Sequence, residues 1–147
     1  MNCELVYLVQ TDTTVGFSST NDEKLSNLKK RPTTQKILQV VDSFTTLKQY
    51  TRVPKNHKKL VRKARKTTFI YPNTHSFRII SKEDKFYDFV RKFKNIYSTS
   101  ANITTKSFDE EFARTNANII VETKEGFSET VSSSIYLLKK KKLKKIR

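Results

Sequence analysis

The apolar residues of this chain come in short runs, and that limits what it can fold into. Leu5-Val6-Tyr7-Leu8-Val9 is continuous rather than alternating, the pattern of a strand buried on both faces. Ile37 to Val41, Thr67 to Tyr71, Phe77 to Ile80, Asn118 to Glu122 and Val131 to Leu138 read as further strands. Between them lie helix signals. Thr20-Asn21-Asp22-Glu23 has capping-box spacing and predicts a short helix through Leu28, which Pro32 stops. Ser43 to Tyr50 is a second short helix, and Pro54 suits the first turn of a basic helix running to Lys66. Ser81 to Asp84 precedes the clearest helix, in which Phe86, Phe89, Val90 and Phe93 form one apolar stripe. Those aromatics are core. A last helix is capped by Ser107, with Glu110 three residues on.

Strands and helices intermix without strict alternation, and no internal repeat or linker interrupts them. The fold class is therefore α/β (α+β): a single domain with a twisted, mixed parallel and antiparallel sheet and flanking helices. Its 147 residues suffice for one real core. The domain is expected over residues 1–138. Residues 139–147, seven of them basic, are expected to form a disordered tail.

A formal net charge of +16 implies a polyanionic partner, either nucleic acid or a phosphorylated ligand. No long apolar run or lipidation signal points to a membrane. Cys3 is the only cysteine, which excludes an intrachain disulfide and fits a reducing, cytoplasmic setting. Only Gly16 and Gly126 are glycines, so no glycine-rich phosphate loop exists. A nucleotide site must use side chains, helix ends and Ser/Thr-rich turns. His57 and His75 have no partner spacing for a metal or a triad and read as surface residues; no metal-ligating residue is assigned.

Three stretches carry possible chemistry. In Thr11-Asp12-Thr13, alternation puts the two hydroxyls together and Asp12 opposite, tying down backbone groups. In Lys29-Lys30-Arg31-Pro32, the residue before proline is biased to extended geometry, so Lys29 and Arg31 point the same way. Ile96-Tyr97-Ser98-Thr99-Ser100-Ala101-Asn102, if extended, puts Ser98, Ser100 and Asn102 on one side. That row of uncharged donors and acceptors suits phosphate oxygens or a small zwitterion.

Together and in this order, the three stretches resemble the YrdC-like threonylcarbamoyl-AMP synthase family. Its signatures are Pro-Thr-Asp-Thr-x-Tyr-Gly-Leu, Lys-x-Arg-Pro-x-x-Lys-Pro-Leu and Ser-Thr-Ser-Ala-Asn. This chain reads Gln10-Thr11-Asp12-Thr13-Thr14-Val15-Gly16-Phe17, then Lys29 to Ile37, then Ser98-Thr99-Ser100-Ala101-Asn102. Thr68-Phe69-Ile70 and Ser76-Phe77-Arg78 stand where the family has its Thr-Leu-Val and Val-Arg strands. The chain departs from the family at Gln10, at Gln35-Lys36, and after Arg78, where an Arg-x-Pro-x-His element is replaced by Arg78 to Lys82.

The resemblance implies a YrdC-like sheet with a basic concave face. It implies an L-threonylcarbamoyladenylate synthase, a nucleotidyltransferase condensing L-threonine, bicarbonate and ATP, with Mg²⁺ expected. Its product would serve tRNA adenosine modification through tRNA threonylcarbamoyl-transferase proteins. Lys29 and Arg31 would be catalytic and meet phosphates, together with Ser98, Ser100, Asn102 and Arg78. Thr11, Thr13 and Thr68 would hold threonine. The alternative is a non-catalytic relative that binds double-stranded RNA, tRNA or nucleotide. For RNA the basic run offers Lys58, Lys59, Arg62, Lys63, Arg65 and Lys66, and with no aromatic interleaved its contacts should be to the backbone. A basic structural RNA-binding protein is the remaining class.

Overall fold

In the computed structural model, residues 5–103 and 106–147 are described; Cys3 lies outside them. One mixed sheet of nine strands runs in the order β7-β1-β2-β6-β3-β5-β4-β8-β9. The strands are β1 (Tyr7–Gln10), β2 (Val15–Ser19), β3 (Gln39–Val41), β4 (Thr67–Ile70), β5 (Ser76–Ile79), β6 (Asn95–Ser100), β7 (Ile119–Val121), β8 (Ser134–Leu138) and β9 (Leu143–Lys145). Pairs β1–β7, β3–β5 and β4–β8 are parallel. The others are antiparallel. The mixed-sheet expectation holds.

The helices are α1 (Asp22–Leu28), α2 (Phe44–Tyr50), α3 (Lys58–Lys63), α4 (Phe86–Phe93) and α5 (Glu110–Asn116). The cap of α1 is one residue later than the spacing suggests: Asn21 accepts from the N–H groups of Glu23 and Lys24. The helix expected over Ser43 to Tyr50 is α2, and Ser43 caps it, accepting from Thr46 N. Asp109, not Ser107, caps α5, accepting from Phe112 N. The basic helix is split, since a 3-10 turn at Lys55–His57 precedes α3.

Two layers of helix sandwich the sheet. Leu25 of α1 and Ala113 of α5 pack with Leu8 and Phe17, while Leu47 and Val61 of α2 and α3 pack with Val41, Phe69 and Phe77. These strand residues share a face by register. The stripe of α4 covers the other face, setting Phe86 and Val90 on Val9, Val40 and Ile96. Of the described helices, only α4 contributes to the core on that face, so the strand positions beside it are left open over Ser98, Ser100 and Arg78.

Val15–Ser19 is a strand that no apolar run announces, buried between β1 and β6. Two expectations fail here. Residues 139–147 are no disordered tail: Leu143–Lys145 forms edge strand β9 against β8. A charged edge strand keeps its backbone pairing on one side while its lysines stay in water, so charge density alone does not prevent it from pairing. His57 is not a surface residue either. It is buried and donates from Nε2 to Lys139 O at 3.0 Å, tying the β8–β9 turn to the 3-10 turn.

Candidate active site

A cavity of about 280 Å³ opens on the α4 face of the sheet, lined by hydroxyls, cations and the aliphatic side chains of Ile37, Leu38, Ile70 and Ile135, with no carboxylate among them. Thr11, Thr13, Arg31, Thr68, Arg78, Ser98 and Ser100, seven of the nine residues assigned to ATP and threonine, line it. The other two, Lys29 and Asn102, stand directly behind it.

Thr11 and Thr13 come together as alternation suggests, with their Oγ1 atoms 3.3 Å apart. The segment is a turn, however, in which Thr11 Oγ1 accepts from the N–H groups of Thr13 and Thr14 at 3.1 Å. Asp12 was expected to tie down backbone groups. Instead it accepts from Arg78 Nη2 at 2.9 Å, both side chains being 4% exposed. Burial pushes the Asp12 carboxyl above its ordinary range by more than the guanidinium draws it down. Arg78 Nη1 also reaches Thr68 Oγ1 at 3.4 Å, and its Nε is buried with no partner. Arg78 thus faces the cavity with much of its charge compensated.

Lys29 and Arg31 diverge. Lys30, between them, takes a left-handed conformation at φ 55°, the usual way to end a helix, and Arg31 N closes back onto Ser26 O at 2.9 Å. Arg31 therefore lines the cavity while Lys29 turns inward. Lys29 Nζ donates to Ser100 O at 2.9 Å, Asn102 O at 2.6 Å and Asn102 Oδ1 at 3.0 Å. Lys29, which the resemblance assigns to phosphate, has its ammonium engaged by the segment that ends β6. Burial, with the nearby Arg31 charge, lowers its pKa to about 8.

Ser98 and Ser100 keep the predicted common side through β6. Asn102 does not, because the strand ends at Ser100 and Asn102 bridges to Phe108. Its Oδ1 accepts from Ser100 Oγ as well as from Lys29, so it orients Ser100 rather than opening onto the cavity.

Several lining residues were not foreseen, among them Lys36, Ser76 and Ser132, and two of them are tied into the site by hydrogen bonds. Ser133 is buried and hydrogen-bonded to Thr68 Oγ1 at 2.9 Å. Arg147 donates from Nε to Ser133 O at 3.0 Å and lines the same cavity. Both arrive because β8 pairs with β4 in parallel. The only signal for Arg147 was its standing as the one arginine in a run of lysines.

The residues named for RNA lie apart from this cavity. Lys58, Lys59, Arg62 and Lys63 are exposed on α3. Arg62 lies over the Phe44 ring at 4.6 Å, and Arg65 pairs with Glu83 at 2.7 Å. Lys66 is exposed at the start of β4. Among the described residues no group of His, Cys, Asp or Glu could hold a metal, and no helix is long and apolar enough to cross a membrane.

In sequence, no family model and no curated protein matches the chain. Solved structures do match in fold. Sua5 of P. abyssi, in a crystal structure complexed with L-threonine, aligns at TM-score 0.80 and 17% identity, over 97% of this chain and 50% of that one. YciO of E. coli aligns at TM-score 0.76 and 13% identity, over 97% of this chain and 82% of that one. Full-length HypF in its phosphate- and nucleotide-bound form aligns at 0.71 and 13%, over 97% of this chain and 26% of that one. The chain spans about half the length of Sua5. By this likeness the chain has the YrdC-like α/β fold.

Proposed function

We propose that the chain binds ATP and L-threonine in this cavity and forms threonylcarbamoyl-AMP. The observation that carries the reading is the meeting of Arg31, Arg78 and Arg147 with the hydroxyls of Thr11, Thr13, Thr68, Ser98 and Ser100 around one opening. Guanidinium groups fork onto phosphate or carboxylate oxygens, and the hydroxyls donate to or accept from what lies between them. A cavity of about 280 Å³ takes the amino acid and the polyphosphate and leaves the base near its rim. That Sua5 is complexed with L-threonine and HypF is nucleotide-bound, on the same fold, supports both ligands.

The reaction is an in-line displacement. Threonine nitrogen and bicarbonate give a carbamate and water; a carbamate oxygen then attacks the α-phosphorus. The bond to the β,γ-pyrophosphate breaks and pyrophosphate leaves with its electron pair. Arg31 would offset charge on the phosphates, Thr11 and Thr13 would hold threonine, and Lys29 would keep Ser100 aimed at the reacting groups. Mg²⁺ is poorly matched by this lining, which offers hydroxyls and cations but no carboxylate.

The test is pyrophosphate release with ATP, threonine, bicarbonate and Mg²⁺, comparing wild type with Arg31→Ala. Threonine-dependent release by the wild type, reduced at least about a hundredfold in the variant, is expected. No threonine-dependent release overturns the reading.

A second reading, an RNA-binding relative without synthesis, is favoured by the exposed cations of α3. It predicts tRNA or duplex binding that falls steeply with salt and weakens when Lys58, Lys59 and Lys63 are replaced by alanine. In the first reading the partners would be tRNA and the transferase proteins of tRNA threonylcarbamoylation; in the second, tRNA or double-stranded RNA.

A further inference from the structure

A second hollow, larger than the first at about 770 Å³, lies where three loops meet at one end of the sheet. Its walls are Arg52 and Lys55 after α2, Pro72 and Asn73 in the β4–β5 turn, and Lys140 and Lys141 in the β8–β9 turn. These cations are exposed, and no carboxylate lines the hollow. Its shape is held by two cross-links: Asn73 Nδ2 donates to Thr51 Oγ1 at 3.0 Å, and His57 Nε2 donates to Lys139 O at 3.0 Å.

One residue back from Thr51 and two on from Asn73, the surface changes character. Tyr50, His75, Phe77 and Tyr97 line a smaller hollow of about 350 Å³, with Gln39 and Asn95 at its base. By register, Phe77, Gln39 and Tyr97 stand side by side across β5, β3 and β6. This row faces away from the cavity described above, since Arg78 and Ser98 alternate to the other face. Tyr50 is 50% exposed above it, its ring 6.3 Å from that of Phe77.

The geometry points to a binding track for single-stranded RNA, with phosphates on Arg52, Lys55, Lys140 and Lys141 and an unpaired base stacked on Tyr50. A basic groove leading to an exposed ring beside paired amides is the arrangement that tracks a backbone and receives a splayed base. A duplex cannot use it, because its bases are already stacked on one another. The sequence hides the combination: Tyr50 belongs to neither basic run, and the next residue, Thr51, already lines the basic hollow. The inference does not rest on the proposed adenylation, and its test contains neither ATP nor threonine.

Fluorescence anisotropy of the full chain with labelled single-stranded oligouridylate, and with a blunt RNA duplex of equal length, tests it over a salt series. Tyr50→Ala is expected to weaken single-strand binding by about tenfold, and Tyr50→Phe to retain it. Replacing Lys140 and Lys141 by alanine should also weaken it and lower the salt slope by roughly 1. Replacing Lys82 and Lys92, which removes the same charge beside α4, should change it less than about twofold. The inference is overturned if the two lysine pairs act equally, if Tyr50→Ala binds the single strand like wild type, or if Tyr50→Ala weakens duplex and single-strand binding alike.

Discussion

The ammonium of Lys29 is hydrogen-bonded to both oxygens of Asn102, 2.6 Å from the carbonyl and 3.0 Å from Oδ1, and joins the end of α1 to the segment that follows β6. Ser100 O is a further acceptor at 2.9 Å. This one charge holds the end of β6, with Ser100, and the segment after it against the end of α1.

Lys29→Met should therefore destabilise the fold, by about 1–3 kcal/mol, because the part-buried oxygens of Ser100 and Asn102 lose a charged donor. A lysine that met only a bound phosphate would leave the empty protein's stability unchanged. The pH profile separates the two further. With a folded pKa of about 8 against an ordinary 10.5, the unfolded chain holds a proton between those values that the folded chain has released. The Lys29 contribution to stability accordingly rises with pH from about 8 to about 10.5. Urea unfolding at pH 7, 9 and 10.5 should show that rise in the wild type and its loss in Lys29→Met.

Removing Arg78 strands a buried carboxylate. Arg78→Met leaves Asp12, at 4% side-chain exposure, without its partner 2.9 Å away. Breaking a buried pair from one side costs about 3–5 kcal/mol, whereas replacing both members costs much less. Urea unfolding should find Asp12→Asn combined with Arg78→Met closer to wild type than Arg78→Met alone.

Gly16 is a matter of space. A Cβ there would stand 2.9 Å from Thr99 O and 3.0 Å from Thr11 Cγ2, so backbone of β6 or the Thr11 turn must shift. Gly16→Ala should lower stability by about 1–3 kcal/mol in thermal melts and weaken ligand binding in the cavity that Gly16 lines.

Much of this architecture was legible from local rules. The α4 stripe and the Ser98–Ser100 alternation needed only helical and strand periods, and each stands where those periods put it. What was hidden depended on partners far along the chain. Val15–Ser19 carries Gly16 and two serines, a poor strand by composition, and forms because β1 and β6 flank it. Asp12 lies in a turn-forming triplet, and nothing local reveals an arginine 66 positions away. Lys29 and Arg31 share a side only while the segment stays extended; the left-handed Lys30 between them turns one inward. The lysine-rich end looked like solvated charge because β-pairing with β8 leaves no mark in composition.

The parallel union of β4 with β8 has a consequence for how an occupied cavity would behave. Ser133 and Arg147 reach the site across an outer flank of the sheet, so a molecule touching them also fastens that flank. Amide protons of residues 134–138 should then exchange with solvent more slowly when the site is filled, although no ligand atom lies against them.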